Sequence, residues 1–162
     1  VLPPNTAMGI AVTAAEERQS PTWVACVAEV TVDPKTGGYK INRLTIAMDC
    51  GTIVNPVNVD AQIRASALWG ASQIMAEQLT LKDGAFEQKN YHQYLPIRLA
   101  DVPEIDVQLI PSDHHPAGVG EPASTTVGPA VANAIFKATG VRVRHMPIRP
   151  QAVLEGLRNK KG

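Results

Sequence analysis

Residues 118–148 read Gly-Val-Gly-Glu-Pro-Ala-Ser-Thr-Thr-Val-Gly-Pro-Ala-Val-Ala-Asn-Ala-Ile-Phe-Lys-Ala-Thr-Gly-Val-Arg-Val-Arg-His-Met-Pro-Ile. A carboxylate, Glu121, stands between a flexible Gly-Val-Gly and a stiff proline, and three hydroxyls follow at Ser124, Thr125 and Thr126. Gly128-Pro129 then opens an apolar run that reads as a helix over about Pro129–Thr139, stopped by Gly140. Proline suits a first helical position, because its missing N–H would have lacked a partner there anyway. The free N–H groups of such a first turn, beside three hydroxyls, suit an anion. On this reading residues 111–129 form a long irregular connection, of the kind that in compact domains is functional or disordered. Pro111–Gly128 is accordingly expected to be displaced or poorly ordered.

Upstream of this stretch lie mostly strands. Trp23–Val32 alternates Val24, Cys26, Ala28, Val30 and Val32 with smaller or polar residues, Asp33-Pro34-Lys35-Thr36-Gly37-Gly38 turns the chain, and Tyr39–Met48 runs back. That is a β-hairpin. Asn55-Pro56 starts a helix reaching about Gln78, with Asp60 placed to complement its dipole. Gln62, Ser66 and Gly70 share one face of it at i, i+4 spacing. Leu79–Phe86 reads as a short hairpin turning at Lys82-Asp83-Gly84. Asn90–Leu99 is a loop or irregular strand, and Glu104–Ile110 alternates as a further strand. The expected fold is α+β, a small mixed or antiparallel sheet with two main helices on one face. One domain spans residues 1–162, with an irregular lead-in over 1–21 (save a strand near Met8–Ala14) and a tail over 150–162 whose end, Arg158–Gly162, is expected to fray.

Composition excludes several classes of function. Fifteen basic and fifteen acidic residues balance to zero, which argues against a nucleic-acid surface. No apolar run approaches ~18 residues, so no transmembrane helix is encoded, and no signal peptide opens the chain. The two cysteines, Cys26 and Cys50, cannot hold an iron–sulfur cluster, which needs four thiolates. They are expected to be buried small hydrophobes. His114-His115 lacks the further ligands and spacing of a zinc site. Arg142, Arg144, His145 and Arg149 suit a solvated strand face or a subunit contact. No nucleophile triad, Walker loop or dinucleotide fingerprint is present.

Three blocks carry a resemblance: Asp49-Cys-Gly-Thr-Ile-Val-Asn-Pro56 with Gln62 six residues on, Tyr94–Ile105, and the Gly-Val-Gly-Glu-Pro block with its helix ending at Met146-Pro147-Ile148. In order and spacing they resemble the molybdopterin-binding large subunit of the xanthine dehydrogenase/aldehyde oxidoreductase family, and most of all its isoquinoline 1-oxidoreductase beta-subunit branch. That family has glycine soon after the glutamine, where this chain has Ala65 and Ser66.

The resemblance implies an oxidoreductase that hydroxylates aldehydes or N-heterocycles, with water as the oxygen source and Glu121 as general base at the metal. It implies that Gln62, Gly120, Ser124, Thr125 and Thr126 meet molybdopterin, in plain form or as the cytosine dinucleotide. Electrons would pass to iron–sulfur clusters on a partner subunit. The chain, which opens at Val1, would be the C-terminal piece of a longer subunit and inactive alone. An apolar surface for the missing part is then expected around the Gln62–Ser66–Gly70 face and the approach to Glu121. The alternative is a non-catalytic binding or assembly module that keeps the fold. The compartment, bacterial cytoplasm or periplasm, is left open.

Overall fold

The computed structural model describes residues 1–17 and 19–160. Its strands and helices run in the order β1 (Thr6–Glu17), β2 (Ser20–Val32), β3 (Tyr39–Asp49), α1 (Pro56–Met75), β4 (Leu81–Lys82), β5 (Ala85–Phe86), β6 (Glu104–Leu109), α2 (Pro122–Thr139) and α3 (Pro150–Asn159). The α+β expectation holds: four strands form one mixed sheet in the order β1-β2-β3-β6. The β1–β2 and β2–β3 pairs are antiparallel, while β3–β6 is parallel. A parallel pair cannot be closed by a tight turn, and the connection here consists of α1 and the excursion after it.

The period-two pattern of the hairpin decides which face is buried. Val24, Cys26, Ala28, Val30 and Val32 of β2, with Leu44, Ile46 and Met48 of β3, point to one side and are fully covered. They pack against Ile63, Ala67, Ala71 and Ile74 of α1 and against Val127, Ala130, Val131, Ala134 and Ile135 of α2. Among the described residues no helix covers the opposite face. There Met8, Ile10 and Val12 of β1 and Trp23 of β2 stand exposed, where a solvated face would carry polar residues.

Four expectations are corrected. The lead-in is a twelve-residue strand, β1, paired along its whole length with β2 from Thr6↔Thr31 to Glu17↔Ser20. The tail contains a ten-residue helix, α3, anchored by the buried Val153; residues 161–162 lie outside the described part. The final long helix begins at Pro122, so Pro129 is inside it. An interior proline costs about 3 kcal/mol of helix stability, and the packing of α2 on the sheet offsets this. Finally, residues 141–148 form no strand, and their basic side chains disperse. Arg142 lies 3.9 Å over the Phe136 ring, while Arg149 donates to the Ala76 carbonyl and to Gln78 Oε1 at 3.0 Å.

The start of α1 follows its sequence signal. Asn55 caps it, accepting the Asn58 N–H at 3.1 Å, and Pro56 takes the first helical position. Asp60 pairs with Arg64 at 2.7 Å, and Arg64 also donates to the Ile105 carbonyl, tying the helix to β6. The helix stops at Met75, three residues before the expected Gln78.

Candidate functional site

The irregular connection between β6 and α2 shrinks to residues 110–121, and long-range hydrogen bonds hold it to the end of the sheet. The His114 carbonyl accepts from Thr52 N–H at 2.9 Å and from the Thr52 hydroxyl at 3.0 Å. Ala117 N–H donates to the Cys50 carbonyl at 2.9 Å, and Ser20 Oγ donates to the His115 carbonyl at 3.1 Å. His114 Nε2 stands 3.2 Å from Asp49 Oδ1. The Asp49 carboxyl is held below the usual carboxylate range, first by the Gly51 N–H and then by Ser112 and His114. The two histidines belong to this loop anchorage, and among the described residues no cluster of metal-ligating side chains exists.

This loop delivers Glu121 to the N-terminal end of α2, where it occupies the capping position with an exposed side chain. Beside it opens a cavity of about 530 Å³ lined by Ala15, Glu16, Thr22, Gly120, Pro122 and Thr125, among others. Gly120 has open space on its side-chain side, with no atom within 4 Å of an added Cβ. Among the described residues nothing crowds that position, so the backbone there is open to the cavity.

The hydroxyl run sits in the first turn of α2, not ahead of it, and its three members separate. Ser124 Oγ donates to the Glu121 carbonyl at 2.7 Å, Thr125 Oγ1 to the Pro122 carbonyl at 2.7 Å and Thr126 Oγ1 to the Ala123 carbonyl at 2.9 Å. Thr126 is only 1% exposed and faces the core, so its expected contact with a cofactor is withdrawn. Thr125 is exposed on the cavity and Ser124 is half-buried.

The small face of α1 is also divided. Ser66 is 2% exposed and accepts the Ser124 N–H at 3.0 Å. A Cβ on Gly70 would stand 2.8 Å from the Ser124 carbonyl oxygen. The expected apolar docking surface at Ser66 and Gly70 is therefore covered by α2 itself. Gln62, one turn earlier on the same face, remains exposed.

Ser66 meets Ser124, Gly70 meets Ser124 and Val127, and Ile74 meets Gly128, so the two helices run side by side in the same direction. Gln62 lies about 6 Å along the axis ahead of Ser66, at the end of the helix pair where Glu121 is found. Gln62, Gly120, Glu121 and Thr125 thus occupy one end of the molecule, a grouping that sequence spacing alone does not give.

Both cysteines are buried and unpaired, as expected, and burial pushes the Cys26 thiol up to about 12. Missed from the sequence are Thr22 and the hydrogen-bonding role of Ser66, both of whose hydroxyls bind backbone across the fold. Their only local signal is a polar residue at an otherwise buried register position.

Comparison with known proteins fits this geometry. The molybdopterin cofactor-binding domain family matches residues 7–103, a stretch that includes Gln62 but stops short of Glu121. The chain is 50% identical over 158 residues to a membrane-bound aldehyde dehydrogenase [pyrroloquinoline-quinone] of Gluconacetobacter polyoxogenes, covering 98% of this chain and 20% of that protein. It is 32% identical over 142 residues to isoquinoline 1-oxidoreductase subunit beta of Brevundimonas diminuta, covering 88% of this chain and 18% of that one. The aldehyde oxidoreductase of Desulfovibrio desulfuricans superposes with a TM-score of 0.74 at 26% identity, over 84% of this chain and 15% of that structure. The chain thus spans about a fifth of the length of such relatives. The matched stretch holds β1, β2, β3 and α1, and the chain belongs to the molybdopterin cofactor-binding domain family.

Proposed function

We propose that this chain is one domain of a larger molybdopterin-dependent hydroxylase subunit that oxidises aldehydes or N-heterocycles, with water as the source of the inserted oxygen. The observation that carries this reading is the opening of Gly120, Glu121 and Thr125 onto a cavity of about 530 Å³, at the end of the α1–α2 pair that also carries the exposed Gln62. An exposed amide offers both donor and acceptor to a pterin edge. The open space at Gly120 admits a ligand close to the backbone. The Thr125 hydroxyl and the half-buried Ser124 stand at the start of a helix, where oxyanions are favoured. When bound, molybdopterin supplies the metal centre that accepts the electrons. Glu121 supplies what the metal does not, a carboxylate oxygen that takes up a proton as the oxygen is transferred. The names of the aldehyde dehydrogenase and isoquinoline oxidoreductase relatives support the two substrate classes.

Glu121 lies in the open in this chain, so water must be excluded by other parts of the subunit. The bare apolar face of β1 and β2 gives those parts a surface to bury. Alone, the chain is expected to be inactive. The two cysteines of this chain are buried and unpaired, and electrons would leave through iron–sulfur centres outside it, on a partner subunit. The cytosine dinucleotide is a second form that the cofactor would take.

Metal and cofactor analysis of the full-length complex tests the reading. Molybdenum and pterin in equal amounts are expected, and Gln62→Ala should lower both together. Pyrroloquinoline quinone without molybdenum would overturn it. A complex with no bound cofactor would leave the binding or assembly module instead.

A further inference from the structure

Glu121 has no anchor of its own: its side chain makes no capping hydrogen bond. Its position must come from the backbone on either side. Three residues before it, the Gly118 carbonyl accepts a hydrogen bond of 2.7 Å from the Thr22 hydroxyl. Three residues after it, the Ser124 N–H donates to Ser66 Oγ at 3.0 Å. Thr22 is 1% and Ser66 2% exposed. Both are therefore set in the packed core, one on β2 and the other on α1, and neither can relocate at low cost. Between these points the Ser124 hydroxyl closes the turn onto the Glu121 carbonyl at 2.7 Å.

We propose that Thr22 and Ser66 are positioning residues that clamp the Glu121 segment from both ends, one to the sheet and one to the neighbouring helix. The proposal rests on Glu121 serving as the base. A base acts only within hydrogen-bond reach of its proton, and a misplacement of about 1 Å can cost on the order of 10²-fold in rate. The threonine stands where the inner register of β2, with Val24 and Cys26 next along it, reaches the cavity wall, and its hydroxyl is directed to the Gly118 carbonyl. Valine would fill the same volume without a polar group to satisfy.

The test uses the full-length enzyme with its cofactor bound and compares Thr22→Val with Thr22→Ser. Thr22→Val should lower kcat by about tenfold, leave KM within about twofold and leave molybdenum content unchanged. It should also speed amide exchange across residues 118–124 by about tenfold. Thr22→Ser, which keeps the donor, should restore both the rate and the protection. If Thr22→Val prevents folding, Ser66→Ala carries the same readouts at the other end. Unchanged exchange in the valine variant, or a serine variant as impaired as valine, overturns the clamp. Faster exchange with turnover intact in both Thr22→Val and Glu121→Gln overturns the base reading instead, and with it the catalytic meaning of the clamp.

Discussion

Two stretches of this chain lack regular secondary structure for most of their length, and the protein treats them in opposite ways. Residues 110–121 make nearly all their hydrogen bonds to distant parts of the chain: to Cys50, Thr52, Ser20 and Thr22. Residues 79–101 mostly bond to themselves. Thr80 pairs with Glu87 and Gln88, Gln93 caps its own turn, and Asp101 reaches back to Arg98. Its ties to the body are few, chiefly Tyr94 to Glu77 and Ile97 N–H to Ser72 Oγ. It leaves Leu79, Leu81, Phe86, Tyr91, Leu95 and Leu99 exposed. Irregular backbone is thus not the same as loose backbone. The stretch that delivers the carboxylate is over-determined by long-range bonds, whereas the excursion is a separate small unit resting on the surface.

A pair of glycines separates the two regimes most sharply. Gly51 and Gly84 have nearly the same left-handed backbone, φ +74° and +78°. An added Cβ at Gly51 would collide with the His115 carbonyl, and at Gly84 it would meet nothing. Gly51→Ala therefore combines backbone strain with overpacking and should destabilise by about 3–4 kcal/mol in urea unfolding. Gly84→Ala carries the strain alone, about 1 kcal/mol. Equal losses at the two sites would remove the distinction between a pinned loop and a free one.

The anchorage at Asp49 gives a smaller, pH-dependent effect. Its carboxyl is depressed by the Gly51 N–H, Ser112 and His114. A depressed group contributes stability that is full above its unfolded pKa and fades as pH falls through the folded value. Asp49→Asn should thus cost below about 1 kcal/mol at neutral pH, and the difference should shrink as the pH falls below the ordinary aspartate range. A loss that grows in acid would contradict the assignment. At the far end of the scale, Tyr91 stands fully in solvent on the excursion. Tyr91→Ser should change stability by no more than about 0.5 kcal/mol; a larger loss would mean that the excursion packs on the body.

Much of this architecture was legible because local chemistry and global packing agree. The alternation from Val24 to Val32 and the Asp33–Gly38 turn fix the hairpin, and Lys82-Asp83-Gly84 fixes the small one. The start of α2 was misread because Gly128-Pro129 imitates a helix opening. Glu121-Pro122 carries the same signature, and Ala123, Val127 and Ala130 already follow the i, i+4, i+7 spacing of a buried face. β1 shows in the sequence only over Met8–Ala14, short of its full length, since its inward positions are small residues such as Ala7 and Gly9. They carry little hydrophobic signal yet allow α2 to lie close. At the site, the type and order of Gln62 and Glu121 were readable from motif, but their grouping needed the parallel course of α1 and α2. The roles of Thr22 and Ser66 were out of reach, because a side chain bonding backbone 96 or 58 residues away leaves no trace in spacing.

The pinned loop presents the Glu121 carboxylate at the start of α2. In the full-length enzyme, Glu121→Gln keeps the shape and removes the proton acceptor. Steady-state turnover should fall by about 10² or more, with molybdenum content and thermal stability unchanged. Turnover within about twofold of the parent, at full cofactor occupancy, would contradict its role as the base.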